Sequence, residues 1–114
     1  MIISHTYSSH AKVNLGLHIL KKRKDDYHNL YSLLVELALA DELIFTSSSD
    51  FKLSADCAYN IQLPLNDSNL ISQAYDLMHS EVGTVPSEYF VHLKKVIPLG
   101  SGLGGGSSNA AFTL

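Results

Sequence analysis

The sequence predicts an α+β domain whose sheet is mixed or mostly antiparallel. Stretches with the two-residue period of strands fill much of the first half of the chain, and one stretch with a helical period follows them. A last strand then leads through a glycine-rich loop into the start of a second helix. A chain of 114 residues fits one domain, so these elements are expected to share a single small core.

Four strands are predicted before the helix. Apolar and polar residues alternate strictly over residues 11–20, which places Lys12 and Asn14 on the same polar face. The apolar run over residues 30–39 predicts a second strand, and residues 42–46 predict a third. The segment "FKLSA" after a serine turn is a plausible fourth.

The stretch "NDSNLISQAYDLMHSEVG" changes to a spacing of three and four between apolar residues, which indicates an amphipathic helix. Asp67, Ser68 or Asn69 can cap its start, and Gly83 can end it. Residues 89–96 alternate again as a strand that ends at Pro98. The segment "SSNAAFTL" then has a helix start without a helix end, so we expect this chain to be the front part of a longer protein.

Composition excludes several function classes. The formal net charge of -3 gives no basic surface for nucleic acid, and no apolar run is long enough for a membrane span. The single cysteine, Cys57, cannot form an internal disulfide, and the six histidines lack metal-ligand spacing. The N-terminus has no secretory signal pattern. We therefore expect a cytoplasmic protein that binds neither nucleic acid nor membrane; its oligomeric state is not predicted.

The chemistry concentrates in the loop "IPLGSGLGGGSSNAA", where residues 100–106 hold five of the seven glycines. Clustered glycines let the backbone approach a ligand, and a helix that starts there aims unpaired amide hydrogens outward. Such a site favours phosphate. Ser107 and Ser108 can either cap the helix or contact a phosphate or its Mg²⁺, expected near Ser107; no metal ligands are assigned. The alternative is a tight turn with a serine cap.

Two familiar phosphate loops fit poorly. A P-loop requires a lysine directly after its last glycine, and none follows Gly106. The dinucleotide fingerprint is matched by Gly100, Gly102 and Gly105, but this loop follows several other strands and Pro98 separates it from the last one. An NAD-dependent oxidoreductase of Rossmann type therefore remains a less favoured alternative, and a non-catalytic nucleotide-binding module is another.

A third loop type fits better. The proline followed by "GSGLGGGSSNAA" resembles the phosphate loop of the GHMP kinase superfamily, and its core is similar to that of one branch, the 4-diphosphocytidyl-2-C-methyl-D-erythritol kinases. The segment "AKVNLGLHILKKRKDDYHNL" resembles the N-terminal stretch of the same branch, except that Asp26 replaces the usual glycine before Tyr27. "DELIF" and "SNLISQA" between the two motifs extend the resemblance over nearly the whole chain.

The resemblance implies a fold, a reaction and a set of site residues. The fold would be a GHMP kinase N-terminal domain, like domain 2 of ribosomal protein S5, with helices on one side of the sheet and residues 1–114 forming an incomplete ATP-binding domain. The reaction would be transfer of the γ-phosphate of ATP, with Mg²⁺, to the 2-hydroxyl of a CDP-linked methylerythritol in the non-mevalonate isoprenoid pathway. The residues expected to bind ATP are Asn69, Lys95, Pro98, Gly100, Ser101, Gly102, Leu103, Gly104, Gly105, Gly106, Ser107 and Ser108.

By the same resemblance, Lys12 is the catalytic lysine, whose charge would stabilise the transferring phosphoryl group. Asn14 would bind the substrate, and Tyr27 and His28 would hold the cytosine by stacking and hydrogen bonding. Taken alone, Lys95 is equally consistent with a solvated charge at a strand end. The family's aspartate base, in a Gly-Ala-Asp-Val-Pro-like segment, has no counterpart before Leu114. We therefore expect the chain alone to be inactive.

Overall fold

The computed structural model describes residues 4–83 and 88–114, with side chains described except at residues 17–20 and 28–31. These residues form β1 (Ser4–Lys22), β2 (His28–Ser48), β3 (Lys52–Cys57), α1 (Leu70–Val82), β4 (Glu88–Lys95) and α2 (Gly105–Thr113). The strands make one sheet in the order β1-β2-β4-β3. Because β3 and β4 are parallel while the other two pairs are antiparallel, the predicted mixed sheet is confirmed.

The prediction of separate second and third strands is wrong, because both belong to β2. The register between β1 and β2 shifts between His10 and Lys12, where residues 37–39 stand opposite Ala11 alone. Such a bulge breaks the two-residue alternation without ending the strand. β1 also begins at Ser4, earlier than predicted, since its polar first residues are held by pairing with β2 rather than by a hydrophobic pattern of their own.

The core lies between the helices and one face of the central strands. Leu43 and Phe45 from β2 form a buried cluster with Val91 and Leu93 from β4 and with Ile71 from α1. Side chains two residues apart on a strand share a face, which is why alternate positions of β2 and β4 are buried. The same alternation carries Asp41 and Lys95 onto this buried face, as the next positions beyond Leu43 and Leu93.

The amphipathic helix predicted within residues 66–83 is confirmed as α1. Asn69 is its N-cap, and the Asn69 Oδ1 accepts a hydrogen bond of 2.9 Å from the backbone N–H of Ile71. Gly83 ends the helix with φ of +81°, and its N–H donates to the carbonyl of His79. Among the described residues, no helix is long and apolar enough to cross a membrane.

Candidate functional site

The glycine-rich segment forms a loop between β4 and α2. Gly100, Gly102 and Gly104 have φ angles of +64°, +76° and +69°, in the left-handed region that side chains disfavour. Ser101 stabilises the turn, because its hydroxyl donates to the carbonyl of Pro98 over 2.8 Å. The backbone path therefore requires glycine at alternate positions.

α2 begins inside the loop. Gly104 is the N-cap, without a side-chain cap, and the first intrahelical bond runs from the Ser108 N–H to the Gly104 carbonyl over 2.9 Å. The amides of Gly105, Gly106 and Ser107 precede that bond, so they have no partner within the helix and suit an anion. The serine-cap alternative is wrong, because Ser107 and Ser108 lie in the first turn rather than at the cap.

Lys12 ties β1 to this loop. Its Nζ donates to the Gly102 carbonyl over 2.8 Å and to the Asn14 Oδ1 over 2.9 Å, which confirms that Lys12 and Asn14 share a face. Its backbone N–H donates to the Leu103 carbonyl over 2.9 Å. A Cβ at Gly104 would lie 2.9 Å from the Lys12 Cε, so glycine also makes room for the lysine stem. A cation thus lies beside the glycine loop that leads into α2.

Behind the loop, Lys95 and Asp41 form a buried ion pair. The Lys95 Nζ lies 2.7 Å from the Asp41 Oδ2, and the two side chains are 1% and 0% exposed. Lys95 also donates to the Asn109 Oδ1 over 3.0 Å, which anchors α2 to the pair. The solvated-charge alternative for Lys95 is therefore wrong.

Sequence reasoning missed Asp41 as part of the site. Its carboxylate accepts hydrogen bonds from the Lys95 Nζ, from the Asn109 Nδ2 and from the backbone N–H groups of Val96 and Ile97. Burial alone would raise the pKa of Asp41, but the hydrogen bonds from Ile97, Lys95, Val96 and Asn109 outweigh it and hold the pKa below its ordinary value. The signal in the sequence was an aspartate two positions before Leu43 on an apolar strand.

A cleft of about 190 Å³ opens beside the loop, lined by Leu63, Pro64, Ser68, Asn69, Leu70, Lys95, Leu99, Gly106 and Asn109. The structure thus brings Asn69 and Lys95 to the same cleft. Both side chains are occupied, however, since the Asn69 amide caps α1 and also donates from Nδ2 to the Pro64 carbonyl over 2.7 Å. A ligand in this cleft could therefore contact its apolar walls without displacing these hydrogen bonds.

The structure does not bring Tyr27 to the loop. Tyr27 is 73% exposed at the turn of the β1–β2 hairpin, beyond Lys22. Ten strand positions separate Lys22 from Lys12, roughly 30 Å along an extended strand. His28 begins β2, but its side chain lies outside the described residues. Asp26, before Tyr27, has φ of +66°, a conformation that the usual glycine would adopt at lower cost.

Comparison with known proteins shows which family the chain resembles. A family model described as the GHMP kinases N terminal domain matches residues 69–114. The 4-diphosphocytidyl-2-C-methyl-D-erythritol kinase of Francisella tularensis subsp. novicida is 42% identical over 108 residues, which cover 95% of this chain and 38% of that protein. Residues 69–114 match the GHMP kinase N-terminal domain. The chloroplastic/chromoplastic kinase of the same name from Solanum lycopersicum is 43% identical over 112 residues, 96% of this chain and 27% of that protein.

Solved structures agree with the GHMP kinase fold. The crystal structure of a 4-(cytidine 5'-diphospho)-2C-methyl-D-erythritol kinase matches with a TM-score of 0.76 and 37% identity, covering 96% of this chain and 38% of that one. A homoserine kinase from Cytophaga hutchinsonii matches with a TM-score of 0.64 at 17% identity, covering 98% of this chain and 33% of that one, which shows the fold alone. The chain therefore spans under two fifths of the length of these relatives.

Proposed function

We propose that this GHMP kinase domain binds ATP at its glycine loop and is part of an enzyme that phosphorylates the 2-hydroxyl of 4-diphosphocytidyl-2-C-methyl-D-erythritol, in the non-mevalonate route to isoprenoids. The 2.8 Å bond from the Lys12 Nζ to the Gly102 carbonyl carries the proposal, because it holds a cation against a loop with unpaired helix amides. The names of the relatives supply the substrate.

In this proposal, the residues divide the work of phosphoryl transfer. The amides of Gly105, Gly106 and Ser107 and the positive end of α2 bind phosphate oxygens. Lys12 stabilises the charge on the transferring group and favours ionisation of the attacking hydroxyl. Asn14 orients the Lys12 ammonium through its Oδ1, which leaves its Nδ2 to donate to a substrate oxygen.

The adenine would occupy the cleft beside Leu63 and Leu99. Since the Lys95 Nζ is bonded to Asp41 and Asn109, any contact of Lys95 with adenine or ribose would come from its backbone or aliphatic stem. Tyr27 and His28 stay predictions for the cytosine. Their position at the hairpin turn requires either an extended substrate or a bend in the hairpin.

Mg²⁺ would arrive on the phosphates of ATP. Among the described residues, no three histidine, cysteine, aspartate or glutamate side chains form a group that could hold a metal ion. The Asp41 carboxylate is already saturated by four donors. The exposed hydroxyl of Ser107 is the side-chain oxygen that we propose lies near the ion.

Catalysis is proposed to need more than these residues. Asp41 cannot serve as the base, because it is buried and its pKa is lowered. We therefore propose that residues 1–114 form the ATP-binding N-terminal part of the enzyme, while the base lies in a region of the relatives that this chain does not span. The saturated Asp41 also favours the second candidate, a module that binds nucleotide without turnover. The nicotinamide alternative is not supported, because the sheet is not a doubly wound parallel sheet.

The test is to incubate the full-length protein with ATP and 4-diphosphocytidyl-2-C-methyl-D-erythritol and to measure ADP and phosphorylated product. Lys12→Ala should reduce turnover at least about 100-fold while the protein still folds, as a cooperative thermal unfolding transition would show. Lys94→Ala is the matched control, since Lys94 is an exposed lysine paired with Glu42 on the sheet. Binding of ATP without product would support the module, and binding of NAD without ATP would overturn both.

Cytoplasmic location, and the lack of nucleic-acid and membrane partners, stay predictions. A small-molecule substrate has support, because the relatives are named for one. One of them is named as chloroplastic, so location varies among the relatives.

A further inference from the structure

Ser9 is a buried hydroxyl of β1 that contacts two neighbouring residues of α2. It is 0% exposed. Its Oγ lies 2.9 Å from the Asn109 Nδ2 and 2.9 Å from the Ser108 Oγ. Ser9 thus connects the buried polar group around Asp41 with the first turn of the helix that follows the glycine loop.

The direction of each hydrogen bond in this buried polar group follows from which atoms can donate a proton and which can only accept one. The Lys95 ammonium can only donate, so the Asn109 Oδ1 faces it at 3.0 Å. The ionised Asp41 carboxylate can only accept, so the Asn109 Nδ2 faces it, also at 3.0 Å. The second proton of that Nδ2 goes to the Ser9 Oγ. Ser9 is therefore an acceptor toward Asn109.

Among the described contacts, the hydroxyl proton of Ser9 then has one acceptor, the Ser108 Oγ. A buried hydroxyl proton without an acceptor is costly, and the Ser9 Oγ donates to the Ser108 Oγ. Ser108 consequently accepts on the protein side, and none of the bonds described for the chain uses its own proton. Thr113 of the same helix shows the more usual pattern, because its hydroxyl donates back to the Asn109 carbonyl over 2.8 Å.

We propose that Asp41, Asn109 and Ser9 act as positioning residues that keep the Ser108 hydroxyl free to donate its proton to a phosphate oxygen of the bound nucleotide. This inference rests on the proposed function and adds a specific donor to it. Ser108 lies one residue after the amides of Gly105, Gly106 and Ser107, and Ser9 lies three residues before Lys12. The donor is therefore in the first turn of α2, close to the part of β1 that bonds to the loop.

The test measures dissociation constants of the full-length protein for ATP and for adenosine by calorimetry. Ser108→Ala should weaken ATP binding about five- to tenfold and leave adenosine binding unchanged, because adenosine has no phosphate. Ser9→Ala should produce a similar selective loss. Ser54→Ala is the control, since it removes a hydroxyl bonded to His92 on the far side of the sheet and should change neither constant.

The double variant Ser9→Ala/Ser108→Ala separates positioning from general stability. If Ser9 acts through Ser108, the double variant binds ATP no more weakly than Ser108→Ala. Additive losses, or equal losses for ATP and adenosine, would overturn the role of Ser9. Unchanged ATP binding in Ser108→Ala would overturn the donor while leaving the proposed function intact, whereas a parent protein that does not bind ATP would overturn both. Thermal unfolding of each variant checks that it folds.

Discussion

The Lys95 Nζ lies 2.7 Å from the Asp41 Oδ2 in a part of the protein that water does not reach. These two residues are 54 positions apart in the chain and join the interior of β2 to the C-terminal end of β4, on the face that carries α2. Because Asn109 of α2 bonds to both, the ion pair fixes where the helix begins, and with it the glycine loop. The position of the loop amides thus depends on a buried pair of charges.

Asp41→Asn should destabilise the protein by about 3–5 kcal/mol, because it leaves the Lys95 ammonium buried without a counter-charge. Urea unfolding of the full-length protein measures the change. The double variant Asp41→Asn/Lys95→Met removes both charges, so it should cost less than the single change. A double variant that is the less stable of the two would contradict the account.

Acid should weaken the fold through the same carboxylate. The pKa of Asp41 is lowered by folding, so its contribution to stability is present above its ordinary value of 3.8 and is lost as pH falls through the lower folded value. Unfolding free energies measured between about pH 7 and pH 2 should therefore decline below about pH 4. The unfolding free energy of the Asp41→Asn/Lys95→Met variant should decline less over the same pH range. Equal declines for the two proteins would argue against protonation of Asp41 as the cause.

Gly105→Ala should lower stability by about 1–3 kcal/mol, because the new Cβ would lie 2.8 Å from the Ile97 Cγ2 and 3.0 Å from the Lys95 Nζ. Gly106→Ala is the matched control one residue along the same helix. Its Cβ would meet only the Leu70 Cδ1, at 3.4 Å, so we expect stability unchanged or raised by up to about 1 kcal/mol. Equal effects of the two changes in thermal unfolding would refute the packing argument.

Asp26→Gly should stabilise the hairpin turn by about 0.5–1 kcal/mol, because glycine adopts the observed φ of +66° without a Cβ penalty. The lost ion pair with Lys22 is exposed and contributes little. The control is Asp25→Gly, which removes the Asp25 Oδ1 that accepts from the Tyr27 N–H over 3.2 Å and should destabilise instead. Chemical unfolding of both variants distinguishes the two aspartates.

Local patterns in the sequence predicted those features that depend on neighbouring residues. The cap and stop of α1, the shared face of Lys12 and Asn14, and the loop that opens α2 all follow from spacing along the chain. The continuity of β2 could not be predicted, because its bulge is set by pairing with β1 rather than by its own residues. The same holds for the site behind the loop, since the partners of Asp41 lie on two distant elements.

The cap of α2 was missed for a different reason. Serines next to a glycine run indicate a side-chain cap by composition, yet Gly104 takes the position because its φ of +69° lets the chain turn into the helix against the Lys12 stem. Composition predicts a phosphate loop, but only the backbone path shows which residue begins the helix.

The missing side chain at position 105 also links three positions that are otherwise separate in the chain. Because a Cβ there would enter the space held by Ile97 and Lys95, the residues at 95, 97 and 105 share one volume. In a library randomised at these three positions and selected for folded protein, survivors with a larger residue at 105 should carry a smaller one at 97 or an uncharged one at 95. We therefore expect the three positions to covary. Gly105, which is proposed to bind a ligand through its amide, is then also constrained by the size of the residues packed beneath it.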